Sequence, residues 1–132
     1  MNNEILLLKE TAKLKDIVDL AVCVVIYQTC NGRQFRDMSG SDFVNFMNLK
    51  APCGTICPLP RENLRICYML YAVSLTIIPA QYARHWVQGM LGACGISVEY
   101  YEKHHKDFLS ISASKKNKEY VRQINEAIKR VL

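Results

Sequence analysis

Between Ile66 and Ala83 the chain runs for 18 residues without a charge. A surface helix cannot be built from such a stretch, because one of its faces would have to meet water. A bilayer does not suit it either. Ser74, Thr76, Pro79 and Gln81 interrupt it, and the part before Pro79, Ile66–Ile78, is 13 residues long, whereas a span needs about 20. The part before Pro79 therefore belongs in a protein core as a helix that Pro79 ends. A chain of 132 residues holds one such core and is too short for two domains of ordinary size. With 50% hydrophobic and 22% charged residues, it has the composition of a folded domain and not of a disordered segment.

Helical spacing continues on both sides of this stretch. Leu7, Leu14, Ile17, Val18, Ala21 and Val25 predict a first helix from near Asn3 to Gln28, apolar all round over Ala21–Tyr27 and hence central. Cys30-Asn31-Gly32-Arg33 reads as a turn, since Asn-Gly adopts positive φ easily. Ser41 is the expected cap of a short helix, Asp42–Leu49, with Phe43, Phe46 and Met47 on one edge. Residues 50–60 hold three of the four prolines together with Cys53 and Cys57, and read as a loop. Helices are then expected over Arg61–Ile78, Pro79–Cys94 and Val98–Lys106. Gly95 and Ile96 form the C-cap of the second of these, and Ser97 caps the third. A last helix, about 113–132, is capped by Ser112 or Ser114 and carries Tyr120, Ile124, Ala127, Ile128 and Val131 on one face. The predicted fold is all-α: one domain, an irregular bundle of five or six helices around the first, third and fourth.

Charge is distributed unevenly along this framework. Residues 1–102 carry nine Lys/Arg and nine Asp/Glu, whereas residues 103–132 carry eight and three, the whole net charge of +5. A basic C-terminal helix on a neutral body permits an acidic protein, nucleic acid or an anionic surface as partner and requires none, a solvated, partly salt-bridged face being its commonest explanation. Periodicity places Lys115, Lys116, Lys118, Arg122, Lys129 and Arg130 mostly off the apolar face, with Glu126 in reach of Arg122 and Arg130. The basic residues are thus expected on a fixed face and not on a floating arm. Membrane binding is not expected, because the apolar face lacks Trp, Phe and a leucine run.

The motifs that would carry chemistry are incomplete. Six cysteines could form a disulfide framework. However, Met1-Asn2-Asn3-Glu4 lacks a basic n-region, Lys9, Lys13 and Lys15 interrupt the residues after it, and Cys23, Cys67 and Cys94 sit in apolar stretches. Reduced thiols and a cytoplasmic location are the expectation. Cys53 and Cys57 have zinc-compatible spacing but no second matched pair, and His104 and His105, being adjacent, diverge on a helix. No metal or other cofactor is expected. Ser112-Ala-Ser-Lys115 matches S-x-x-K without its partner motifs. Gly89, Gly92 and Gly95 do not fit a dinucleotide fingerprint; the first two are expected to admit a neighbouring helix closely. No catalytic constellation emerges, so the chain reads as a non-enzyme.

One segment suggests an alternative. Trp86–Cys94, Gly95-Ile96-Ser97 and Val98–Lys106 read helix, short turn, helix. This resembles the helix-turn-helix of bacterial DNA-binding proteins, in which Gly-Ile-Ser often opens the recognition helix. The resemblance implies that residues 97–106 approach a groove. It departs from the pattern at Leu91, where a small residue is usual, and at Tyr101, where an aliphatic one is. Glu99 and Glu102 would also oppose phosphates. The leading expectation is a protein-interaction or regulatory module that binds a protein partner or itself. The alternative is a DNA- or RNA-binding module using the corner at 86–106 and the basic helix. In either case Lys103, Lys106, Lys115, Lys116, Lys118 and Arg122 are the candidate contacts.

Overall fold

The computed structural model describes residues 16–132, which form six α-helices and one 3-10 turn, with isolated β-bridges but no strand among the described residues. The helices are α1 (Leu20–Cys30), α2 (Gly40–Met47), α3 (Asn63–Ser74), α4 (Ala80–Cys94), α5 (Val98–His104) and α6 (Lys115–Val131), with the 3-10 turn at Asp107–Leu109. The all-α architecture and the helix count match the sequence expectation.

Several boundaries differ, each for a local reason. The expected first helix falls partly on residues 1–15, outside the described residues. In the described part it does not run through Asp16–Asp19. Asp19 Oδ1 accepts from the Ala21 N–H at 2.8 Å and starts α1 at Leu20, while Asn48 Oδ1 takes the Val18 N–H at 2.9 Å. Nor is α1 buried all round, since Leu20 and Val24 are exposed. Ser39, not Ser41, caps α2 through the Asp42 N–H, and Leu49 at φ 57° turns the chain out of that helix. Arg61 at φ 67° cannot belong to a right-handed helix, so α3 begins two residues later. It ends at Ser74 because the Ser74 and Thr76 hydroxyls donate to the Tyr71 and Val73 carbonyls.

The expected caps of α4, α5 and α6 are present. Gly95 takes φ 70° and the Ile96 N–H reaches the Leu91 carbonyl at 3.0 Å. Ser97 accepts from the Tyr100 N–H and Ser114 from the Asn117 N–H. The close approach expected at both Gly89 and Gly92 holds at Gly89 only, and the neighbour is a loop side chain. A Cβ on Gly89 would come within 2.7 Å of Leu49 Cδ1, whereas one on Gly92 meets nothing within 4 Å.

The core joins residues from every α-helix. Its largest side chain, Trp86, is fully buried and donates Nε1–H to the Met47 carbonyl at 2.6 Å. Phe35 packs edge-on against Phe43 and Phe46. The centre differs from the expected trio of helices: α6 is the element that packs on both α1 and α3. Tyr120, Ile124, Ala127 and Ile128 supply its buried face, and each large one is worth about 1.5–3 kcal/mol of burial. Two tyrosines fasten it to α3, Tyr120 Oη–H donating to the Arg65 carbonyl at 2.9 Å and Tyr68 Oη–H to Asn125 Oδ1 at 2.7 Å. Residues 50–60 are tied down as well. The Arg36 N–H donates to the Cys57 carbonyl, the Leu59 N–H to the Gln34 carbonyl, and Asn45 Nδ2–H to the Pro52 carbonyl, each at 2.9 Å. No described helix is long and apolar enough to cross a membrane.

Candidate functional site

With its apolar face committed to the core, α6 turns its opposite face outward beside the C-terminal end of α1 and the adjoining turn at 31–35. The turn is built tightly. Gly32 at φ 76° lets the Arg33 and Gln34 N–H groups return to the Cys30 carbonyl at 3.0 and 2.9 Å. Cys30, Gln34 and Phe35 are buried, so exposed Arg33 stands on a rigid base.

Two adjoining clefts lie between this turn and α6. One, of about 640 Å³, is lined by Gln28, Thr29, Arg33, Arg122, Gln123, Glu126, Ala127, Lys129 and Arg130. The other, of about 420 Å³, is lined by Arg33, Gln34, Glu62, Arg65, Lys116, Glu119, Tyr120 and Gln123. Arg33 and Gln123 border both, so the two form one groove along α6.

The groove wall carries six cations and three carboxylates, and its charges are ordered. All three carboxylates are engaged by groove arginines. Glu62 pairs with Arg65 at 2.7 Å, and Glu126 pairs with Arg122 at 2.6 Å. Glu119 also pairs with Arg122, whose hydrogen bonds hold the Glu119 carboxyl below its ordinary range. Arg33, Lys116, Lys129 and Arg130 make no ion pair among the described residues. The wall therefore offers an excess of positive charge from side chains that have no carboxylate to leave. It also offers neutral hydrogen-bonding groups on Gln28, Thr29 and Gln123. At the floor, Gln34 is 6% exposed; its Nε2–H donates to Glu62 Oε1 at 2.9 Å, while its Oε1 has no partner.

Of the six residues singled out from sequence, Lys116 and Arg122 line the groove. Arg122 is already held by Glu119 and Glu126; the expected Arg130–Glu126 pair does not form. Lys115 and Lys118 are exposed in the first turn of α6 but outside the groove, and Lys118 Nζ–H donates to the Ile111 carbonyl at 2.8 Å. Lys103 is exposed on α5, and Lys106 lies over the Tyr71 ring, 5.4 Å from its centroid. These four do not converge with the other two. Sequence reasoning left Arg33 and Arg65 out of the site, and no local pattern marks them. Lys129 and Arg130 were legible, since they follow Arg122 at seven and eight residues on the same helical face.

The corner at 86–106 forms as helix, turn and helix, but α5 is only seven residues long. Ile96 and Tyr101 are buried and the exposed face presents Glu99 and Glu102. His104 pairs with Asp107, and His105 stacks on Tyr101. Among the described residues no three His, Cys, Asp or Glu side chains converge as metal ligands. Four of the six cysteines are buried, and burial pushes the thiols of Cys23 and Cys67 up to about 11 and those of Cys30 and Cys94 up to about 12. Thiols so raised are neutral and weakly nucleophilic at neutral pH.

Against known protein families, curated proteins and solved structures, the chain finds no match.

Proposed function

We propose that this chain is a protein-interaction module that takes an acidic segment of a partner protein into the groove between α6 and the turn at 31–35. The observation that carries this reading is the ordering of charge along the groove. Its carboxylates are paired internally, whereas Arg33, Lys116, Lys129 and Arg130 are left to an incoming anion.

A polypeptide suits the mixed lining better than a nucleic acid does. A phosphodiester backbone brings acceptors only, which serve the cations but give nothing to the acceptor oxygens of Gln28, Thr29 and Gln123. An acidic peptide brings carboxylates for the cations and backbone N–H donors for those neutral oxygens. The corner at 86–106 adds little to the nucleic-acid reading, because its exposed helix face carries Glu99 and Glu102.

Fluorescence anisotropy with a labelled Glu-rich peptide tests the proposal. Binding should weaken several-fold between 50 and 200 mM salt, roughly as expected for rim charges. The double variant K129E/R130E should abolish it, while K103A/K106A should leave it unchanged. Equal binding by the wild type and K129E/R130E, or tighter binding of a single- or double-stranded oligonucleotide than of the peptide, overturns the reading.

A further inference from the structure

The spacing of the unpaired cations specifies the partner more narrowly. Lys116 and Arg130 lie at the two ends of the groove, and Gln123 stands seven residues from each along α6. At the rise of an α-helix this puts Gln123 about 10 Å from either end. Arg33 and Gln123 are the two residues that line both clefts, so Arg33 stands at their junction, on the wall across from α6. Between the stations, Arg122 with Glu119 and Glu126 forms a closed, self-paired unit. With Lys129 next to Arg130, the groove thus presents uncommitted positive charge at three stations, the two on α6 each about 10 Å along the helix from Gln123.

We infer that the groove reads an extended acidic peptide with carboxylates at every third position, i, i+3 and i+6. This rests on the proposed function above and names its ligand. A polyproline II strand rises about 9.3 Å in three residues and returns each third side chain to the same face. That period matches the stations. A β-strand alternates faces every residue and would turn the middle carboxylate away from Arg33. An amphipathic helix could match the distance at seven-residue intervals, but helix-in-groove recognition relies on apolar anchors. Here Ala127 and Tyr120 are the apolar side chains of the lining, both largely buried. An extended peptide leaves its own N–H and C=O groups free for Gln28, Thr29 and Gln123, which a helix would not.

The test compares labelled peptides of identical composition on the full chain by anisotropy: three glutamates at i, i+3, i+6 on a Pro/Ser background, the same glutamates contiguous, and the same at i, i+2, i+4. The three-residue spacing should bind about five-fold tighter than either alternative, the loss expected when two rim pairs are misplaced. Arg33→Gln should cancel that preference while leaving residual binding. Arg33 is exposed and its turn is held by backbone bonds, so the substitution should leave the fold intact, to be checked by circular dichroism. Equal affinity for all three peptides refutes the spacing and leaves the groove standing. Failure of every peptide to bind refutes the groove as well.

Discussion

Besides the Asp19 cap, Asn48 holds the break at residues 16–19 by taking the Val18 N–H, and Asn48→Ala tests how strongly. Asn48 is 3% exposed at the end of α2. Its Oδ1 accepts the N–H of fully buried Val18 at 2.9 Å, and its Nδ2–H donates to the Val44 carbonyl at 3.0 Å. The Val44 carbonyl keeps a second partner, the Asn48 backbone N–H at 3.1 Å. The Val18 N–H loses its side-chain acceptor. The cost should then be the desolvation of one buried donor, about 1–3 kcal/mol, with a smaller contribution from the space left by the amide. A total near 2 kcal/mol corresponds to a fall in Tm of roughly 8 °C for a domain of this size. Thermal and urea unfolding followed at 222 nm would measure it.

Asn48→Asp adds a sign. The protonated carboxyl can still donate to Val44 and accept from Val18, whereas the ionised one is a buried charge facing a carbonyl. The folded pKa is thus raised above the unfolded value of about 3.9. The variant should be close to wild type below that pH and lose stability progressively as pH rises. A loss under about 0.5 kcal/mol for Asn48→Ala, the range of an ordinary surface change, or a pH-independent Asn48→Asp, would refute this account of the junction.

The other expectations rest on local geometry. Gly92→Ala should stabilise by up to about 1 kcal/mol through helix propensity, since a Cβ there meets open space; Gly89→Ala should gain less, because Leu49 must move first. A destabilised Gly92→Ala in urea titration would contradict this. Alkylation of the native protein at pH 8 should modify Cys53 and Cys57 rapidly and the four buried cysteines only as the fold opens, and mass spectrometry showing more than two fast sites would refute the burial. The same raised thiols predict alkaline destabilisation. Their stabilising contribution is complete below the unfolded pKa of about 8.5 and is lost as pH climbs towards the folded values of about 11 and 12, which a series of melts across that window would show.

Much of the fold was legible because its signals are local. The first part of the uncharged run, residues 66–73, gave the core helix, although Leu75, Ile78 and Tyr82 further along the run are exposed; Gly95-Ile96 gave its neighbour's end, and Ser97 and Ser114 the next two starts. The misplacements have one character. At Asp16–Asp19 and at Ser39, short polar side chains compete with helical hydrogen bonds, and which serine or aspartate wins depends on where the chain must go next. Periodicity could not reveal that Asn48, thirty residues away, would hold Val18. The site was legible by half for the same reason. The basic face of α6 follows from the spacing of Tyr120, Ile124, Ala127 and Ile128. Its opposite wall, Arg33 above Cys30 and Gln34, exists only once α1 has docked on α6. The lysines at 103, 106, 115 and 118 look equivalent in a charge count and are separated by the fold.

That docking gives the groove a kinetic character. Its walls, Thr29 and Arg33 on one side and Lys129 and Arg130 on the other, are about a hundred positions apart in the chain, and contacts of such range carry the largest loop-closure cost. The helix pairs α1–α2 and α3–α4 can assemble from near neighbours, whereas the groove needs the longest closure between helices among the described residues. A ligand lying across both walls would clasp the two distant segments together and slow their separation, so occupancy should register as a longer-lived native state before it registers as any change of shape.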